Sequence, residues 1–351
     1  MVGPGSKSPG GMLTVAENYC EGFSSFDEIE VRYVGIGTRG SFVSKCAYYA
    51  KQLVLISKLL KTVGFDICHV HMGDKGGVFR SGIVVELAKR HGCKTITHLH
   101  AGNMMLWYET LGTPAKAVVR SFLNASDSFV VLGNLWKSQL ADLVPAEKIE
   151  VIYNGVSLPE VERCGGDRLT FLYLGVLKKQ KGLSELLDAV SNLRGRFEGS
   201  ARLLVAGTVF DFDIEAEIEA RGLDGVVEYV GWAGPQEKAA LFKKADIAVL
   251  PSYYEGLPMS VLETMASGLP SITTPVGAIP EVIESGRNGI LVKPKSVTQL
   301  EDAMLAFLDD EGLAIRLGKV ARETIERRFT IAGQLKATAA LYDELSPAGV
   351  E

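Results

Sequence analysis

Short apolar runs rich in β-branched residues alternate, over almost the whole chain, with segments whose apolar residues recur at i, i+3, i+4 and i+7. The runs predict strands at 29–34, 66–70, 95–99, 128–132 and 149–152, and again at 170–174, 202–206, 226–230, 247–250, 271–274 and 289–292. The periodic segments, among them 78–89, 183–193 and 239–244, predict helices. Strands alternating with helices in this way build parallel sheets covered on both faces. The alternation breaks at 154–167 (NGVSLPEVERCGGD), which is rich in turn formers and has no period. From Asp302 onward, helical segments follow one another without strands. The expected class is α/β with two doubly wound, Rossmann-like domains: 1–154, a linker at 155–168, 169–328, and a last helix over 329–351 expected to pack back on the first domain.

Length agrees with this division, since 351 residues at about 150 per domain give two. The 47 % hydrophobic content excludes a disordered chain, so the 38 glycines belong in turns and tight loops. A net charge of −5 argues against a general nucleic-acid binder. That charge is uneven: residues 1–154 carry +3 and residues 155–351 carry −8. Cys20, Cys46, Cys68, Cys93 and Cys164 are odd in number and form no Cys-x-x-Cys pair, which points away from disulfides and structural zinc and toward a reducing cytoplasm. No apolar run reaches the ~18 residues of a membrane span, and the opening MVGPGSKSPGG lacks the apolar centre of a signal peptide. Within 41–64 there are four lysines and no acid; a helix there sets Lys51, Lys58 and Lys61 on one face and Tyr49, Leu53, Ile56 and Leu60 on the other. Such a helix suits either a solvated cover or an anionic membrane surface.

Candidate chemistry concentrates at 246–283. A buried strand ends at Pro251, a loop carries Glu255, Gly256 and Leu257, and Pro258 suits the first turn of a helix, where no N–H is required. That helix is expected to stop at Gly268, with Pro270 beyond it. Its start lies at the carboxyl end of a parallel strand, where open α/β sheets bind ligands. Free N–H groups around Met259, Ser260 and Val261, with the helix dipole behind them, suit a phosphate or diphosphate. Glu255 and Glu263 frame this place. A carboxylate repels an anion, so neither is a phosphate ligand, but each can accept from a pair of sugar or ribose hydroxyls. Together these features fit a nucleotide diphosphate sugar.

These residues resemble a known family. EGLPMSVLE, a Glu-x7-Glu pattern followed by MASGLP, is similar to the signature of the retaining GT-B glycosyltransferases of glycosyltransferase group 1, and within it to bacterial exopolysaccharide, capsule and lipopolysaccharide enzymes. The resemblance covers nearly the whole chain and is densest over 170–292. It implies two Rossmann-like domains facing each other across a cleft, the acceptor on the first and the nucleotide sugar on the second, transfer with retention, and no metal or other cofactor. It also implies that Glu255 binds the donor sugar and is needed for transfer, that Glu263 binds the ribose, and that the backbone of Gly256, Leu257, Pro258, Met259 and Ser260 holds sugar hydroxyls and diphosphate. LGVLKKQKG (174–182) matches the family's G-R-L-x-x-x-K-G loop and makes Lys181 the diphosphate lysine; Val176 replaces the family's arginine, and Lys178 is the candidate to substitute for it. Asn154-Gly155-Val156 matches the interdomain turn, and Gly231-Trp232 the loop that lines the base pocket. PGGM (9–12) resembles the glycine loop that nears the donor phosphates through Gly10 and Gly11, although the strand before it is almost absent and is expected to be cut short or to lie outside this chain. HLHAGN (98–103) resembles the family's strand-end histidine, which gives His100 a contact with the donor sugar.

Other patterns carry less. His69 with His71, and His98 with His100, each share one strand face and invite a metal, yet no carboxylate accompanies them at ligand spacing, and they are read as core or cleft histidines. GIGTRG (35–40) satisfies G-x-G-x-x-G, but Lys58 to Lys61 stand where that fingerprint needs an acid, so a glycine-rich turn is the simpler reading. A sugar-nucleotide epimerase, a nicotinamide oxidoreductase and a non-catalytic glycan-binding relative stay open as alternatives. The expected partners are a UDP- or GDP-sugar, a glycan or lipid-linked glycan acceptor and, through Lys51, Lys58 and Lys61, the inner face of the cell membrane.

Overall fold

The computed structural model describes residues 1–5, 10–38, 40–160, 162 and 166–346. Residues 6–9, 39, 161, 163–165 and 347–351, with Pro9, Arg39 and Cys164 among them, lie outside them. The chain divides into two compact units, Met1–Gly155 with Ile331–Glu351, and Val156–Thr330.

Unit 1 holds a six-stranded parallel sheet of β1 (Val2–Gly3), β2 (Val34–Gly35), β3 (Ile67–Met72), β4 (Lys94–Leu99), β5 (Ser128–Val131) and β6 (Ile149–Val151), in the order β2-β1-β3-β4-β5-β6. Val70, Ile96, Phe129 and Val130 are fully buried, as expected of strands covered on both faces. The first strand, almost invisible in the sequence, is present as β1 and pairs with both β2 and β3. The strand expected at 29–34 is reduced to Val34–Gly35. Its partner β1 offers only Val2 and Gly3 for pairing, so the alternating residues before Val34 have no ladder to join.

The helix Phe42–Thr62 is capped by the Ser41 hydroxyl, which accepts from the Ser44 N–H at 3.3 Å. Ile56 and Leu60 are buried, and Tyr49 and Leu53 pack on the same core. Lys51, Lys58 and Lys61 are exposed, and so are Phe42, Val43 and Val54. The last helix, Ile331–Leu345, is part of unit 1. Thr338 shares a hydrogen bond of 2.9 Å with the Tyr19 hydroxyl, and Gln334 accepts from the Gly155 N–H at 3.0 Å. No helix among the described residues is long and apolar enough to cross a membrane.

Unit 2 holds the second parallel sheet: β7 (Leu169–Leu174), β8 (Ala201–Ala206), β9 (Val227–Gly231), β10 (Ile247–Leu250), β11 (Ser271–Thr273) and β12 (Gly289–Leu291), ordered β12-β11-β10-β7-β8-β9. The chain runs outward from β7 to β9, then restarts beside β7 with β10 and runs the other way. The loops after β7 and β10 therefore diverge at the carboxyl edge of the sheet and leave a crevice between them. In unit 1 the same reversal falls between β1 and β3.

Candidate functional site

The crevice of unit 2 lies between the two sequence segments that carry its candidate residues. The loop after β7 contains Lys178 and Lys181, and the loop after β10 contains Glu255. They meet: Lys181 Nζ lies 2.5 Å from Glu255 Oε1, and the Glu255 side chain is largely buried. The Tyr253 N–H donates to the Gln180 carbonyl at 2.9 Å and ties one loop to the other. Gly182 makes the close approach possible. It has φ 72°, and a Cβ there would run into the Pro251 carbonyl.

From Gly256 and Leu257 the chain enters the helix Met259–Ala266, with Pro258 at its cap, one position before the first turn. The Gly256 carbonyl accepts from the Ala278 N–H at 2.8 Å, which fixes the loop against Gly277 and Ala278. The helix starts at Met259 and Ser260, so its first N–H groups have no partner within the helix and point at the crevice end. Glu263, further along, accepts from Lys238 Nζ at 2.7 Å. Both carboxylates thus hold an ammonium. Lys178 is placed differently: its Nζ lies over the Phe210 ring at 4.3 Å. Trp232, in the expected base loop, is 60 % exposed.

Four participants were not legible in the spacing. Lys238 comes from the helix Pro235–Lys244, a segment with no motif of its own. Glu185 accepts from the Tyr253 hydroxyl at 2.5 Å, and its other oxygen is buried without a partner among the described residues. Tyr253 is pushed to a higher pKa by burial and then by that carboxylate. Burial, with the Glu255 carboxylate nearby, also raises the Tyr173 phenol, which donates to the Val176 carbonyl at 3.1 Å.

In unit 1, Gly10 caps the helix Gly11–Phe23, and its carbonyl accepts from Leu13 and Thr14; Gly10 and Gly11 are exposed. His100 follows β4, its N–H bonded to the Met72 carbonyl at 2.9 Å. The three strand histidines and His100, just past β4, form two rungs. His69 Nδ1 meets the Tyr342 hydroxyl at 2.8 Å and His69 Nε2 meets His98 Nδ1 at 3.2 Å, while His71 Nδ1 meets His100 Nε2 at 2.9 Å. Ligating nitrogens of His69, His71 and His98 lie within 4.8 Å of one another. Their ring planes lie within 35° of parallel. Burial first, and then the neighbouring imidazoles, holds His69, His71 and His98 well below the usual histidine range, and burial lowers His100 to about 3. All four are neutral near pH 7.

Residues 158–324 match the family described as glycosyl transferases group 1, and residues 14–159 match glycosyltransferase family 4. The glycogen synthase of Mycobacterium tuberculosis is 28 % identical over 269 residues, which are 74 % of this chain and 65 % of that protein; the chain thus spans less than two thirds of that relative. Among solved structures, the sucrose-phosphate synthase of Thermosynechococcus elongatus superposes with a TM-score of 0.82 at 20 % identity, over 99 % of both chains. The lipopolysaccharide outer core galactosyltransferase WaaB does so with 0.67 at 23 % identity, over 98 % of both. With the two six-stranded parallel sheets, these likenesses show a GT-B fold.

Proposed function

We propose, on the premise that the chain belongs to the glycosyltransferase group 1 family, that it transfers a sugar from a UDP- or GDP-sugar to a glycan or lipid-linked glycan acceptor, with retention and without a metal. The observation that carries this is the Lys181–Glu255 pair at the switch point of unit 2. A diphosphate entering the crevice offers Lys181 a stronger anionic partner than one carboxylate. As Lys181 turns to the diphosphate, Glu255 is released beside it, free to accept from sugar hydroxyls. Charge that develops on the leaving diphosphate is then met by Lys181 and by the N–H groups at Met259 and Ser260, already oriented before the bond breaks. Glu263 takes the ribose hydroxyls, with Lys238 holding its carboxylate in place. His100 contacts the donor sugar. The resemblance of EGLPMSVLE to exopolysaccharide, capsule and lipopolysaccharide enzymes supports a role in cell-surface polysaccharide synthesis.

Released nucleotide, scored over UDP-, GDP-, ADP- and dTDP-sugars, tests the assignment. Glu255→Ala is expected to lose more than about 100-fold in turnover while UDP or GDP still binds, whereas Glu263→Ala weakens nucleotide binding by about tenfold. Full turnover in Glu255→Ala sinks the assignment.

A further inference from the structure

His100 touches a second histidine before it can touch any substrate. We propose that His71 is a positioning residue that fixes the tautomer of His100, keeping the His100 proton on Nδ1 so that this nitrogen meets the sugar as a hydrogen-bond donor. The inference rests on the reading of His100 as a donor-sugar contact, and it excludes His100 as a general base through Nδ1.

One proton lies between His71 Nδ1 and His100 Nε2, which are 2.9 Å apart, because both rings are neutral. Two arrangements are available. If His100 Nε2–H donates, His71 must carry its own proton on Nε2, an atom that is buried without a partner among the described residues. That leaves an orphaned N–H. If His71 Nδ1–H donates, the orphan is a bare lone pair, and buried acceptors are left without partners more readily than buried N–H groups. The second arrangement puts the His100 proton on Nδ1. The other rung repeats the pattern. His98 Nε2 is likewise buried and unpartnered, so His98 donates from Nδ1 to His69 Nε2, and His69 donates from Nδ1 to the Tyr342 oxygen. Both rungs then carry protons on Nδ1 throughout, with no buried N–H unmatched.

The geometry also holds the ring still. His98 stacks on His100 at 4.2 Å between centroids, and the His100 N–H is fixed to Met72 beside His71. His100 is only half-buried, and its Nδ1, unlike His71 Nε2, is not one of the sealed and unpartnered ring nitrogens among the described residues. A donor there matches an oxygen lone pair of a bound sugar.

The test uses the full chain labelled with 15N-histidine, in which long-range proton–nitrogen spectra separate protonated from bare ring nitrogens for each of the five histidines. The His100 signals are identified by their loss in His100→Gln. Near neutral pH we expect His100 with Nδ1 protonated and Nε2 bare; the reverse pattern overturns the proposal. His71→Leu removes the donor, so His100 becomes a mixture of tautomers and turnover falls about tenfold with little change in donor KM. His71→Asn, whose amide N–H stands where the Nδ1–H stood, restores the His100 pattern and most of the turnover. A Leu variant with an unchanged His100 pattern overturns the proposal; if that variant does not fold, the wild-type and Asn spectra decide. The expected spectrum in a protein that releases nucleotide from no sugar nucleotide would leave the tautomer assignment standing and remove the transferase one.

Discussion

Residues in this molecule act in pairs that cross from one segment to another. Glu255 and Glu263 were recognisable as carboxylates around an anion site because both lie in one local stretch, but their ammonium partners come from elsewhere, Lys181 from the loop after β7 and Lys238 from a separate helix. The histidines show the same limit. Period two placed each pair on a strand face, whereas the hydrogen-bonded rungs run diagonally, His69 to His98 and His71 to His100, and depend on the β3–β4 register. Their burial has a measurable consequence. An unfolded imidazole takes up a proton near pH 6.5, while His100 in the fold resists until about 3 and the other three until well below their usual range. The unfolded chain therefore binds more protons below 6.5. The contribution is complete above that pH and drains as pH falls toward 3, by about 1.4 kcal/mol per pH unit for each imidazole. The urea midpoint of unit 1 should be flat above about pH 7 and drop steeply from 6.5 to about 5; a level midpoint through that window would mean that the rungs accept protons while folded.

Elements were legible wherever they are local. The strand–loop–helix around Glu255 follows from an apolar run, a proline and a glycine stop, and the structure ends the helix Met259–Ala266 just before Gly268. β1 and β2 were misjudged because a two-residue strand has no period to detect, and because the reach of an edge strand is set by its neighbour's length. Gly277 gives the element scale its prediction. It has φ 57°, and a Cβ there would run into the carbonyls of Glu255 and Gly256. Gly277→Ala should displace the Glu255 loop, destabilise unit 2 by about 2 kcal/mol and raise the Kd for nucleotide, both read from thermal unfolding with and without UDP or GDP. An unchanged Kd would show that the loop adapts without cost to the crevice.

At the scale of the whole molecule, the mild net charge of −5 conceals a basic helix. Lys51, Lys58 and Lys61 stand exposed on Phe42–Thr62 beside the exposed Val54, with Phe42 and Val43 bare at its start. Apolar side chains among ammonium groups suit a layer of anionic headgroups. The protein should float with anionic liposomes and lose that association in high salt or when the three lysines are changed to glutamate; equal flotation of the triple variant would remove this surface from consideration. The expectation that the last helix packs back on the first domain agrees with its membership of unit 1, but the residues it meets there were beyond the sequence, since an apolar stripe announces a buried face without naming what buries it. Its membership of unit 1 bears on the order of maturation at the ribosome. Unit 2 is a single stretch and is complete once Thr330 has been added, whereas unit 1, begun first, waits for Ile331–Leu345 before Tyr19, His69 and Gly155 gain their partners. The half of the molecule synthesised earliest is thus the last to mature, and until the closing helix emerges its histidine strands depend on whatever shelters a nascent chain.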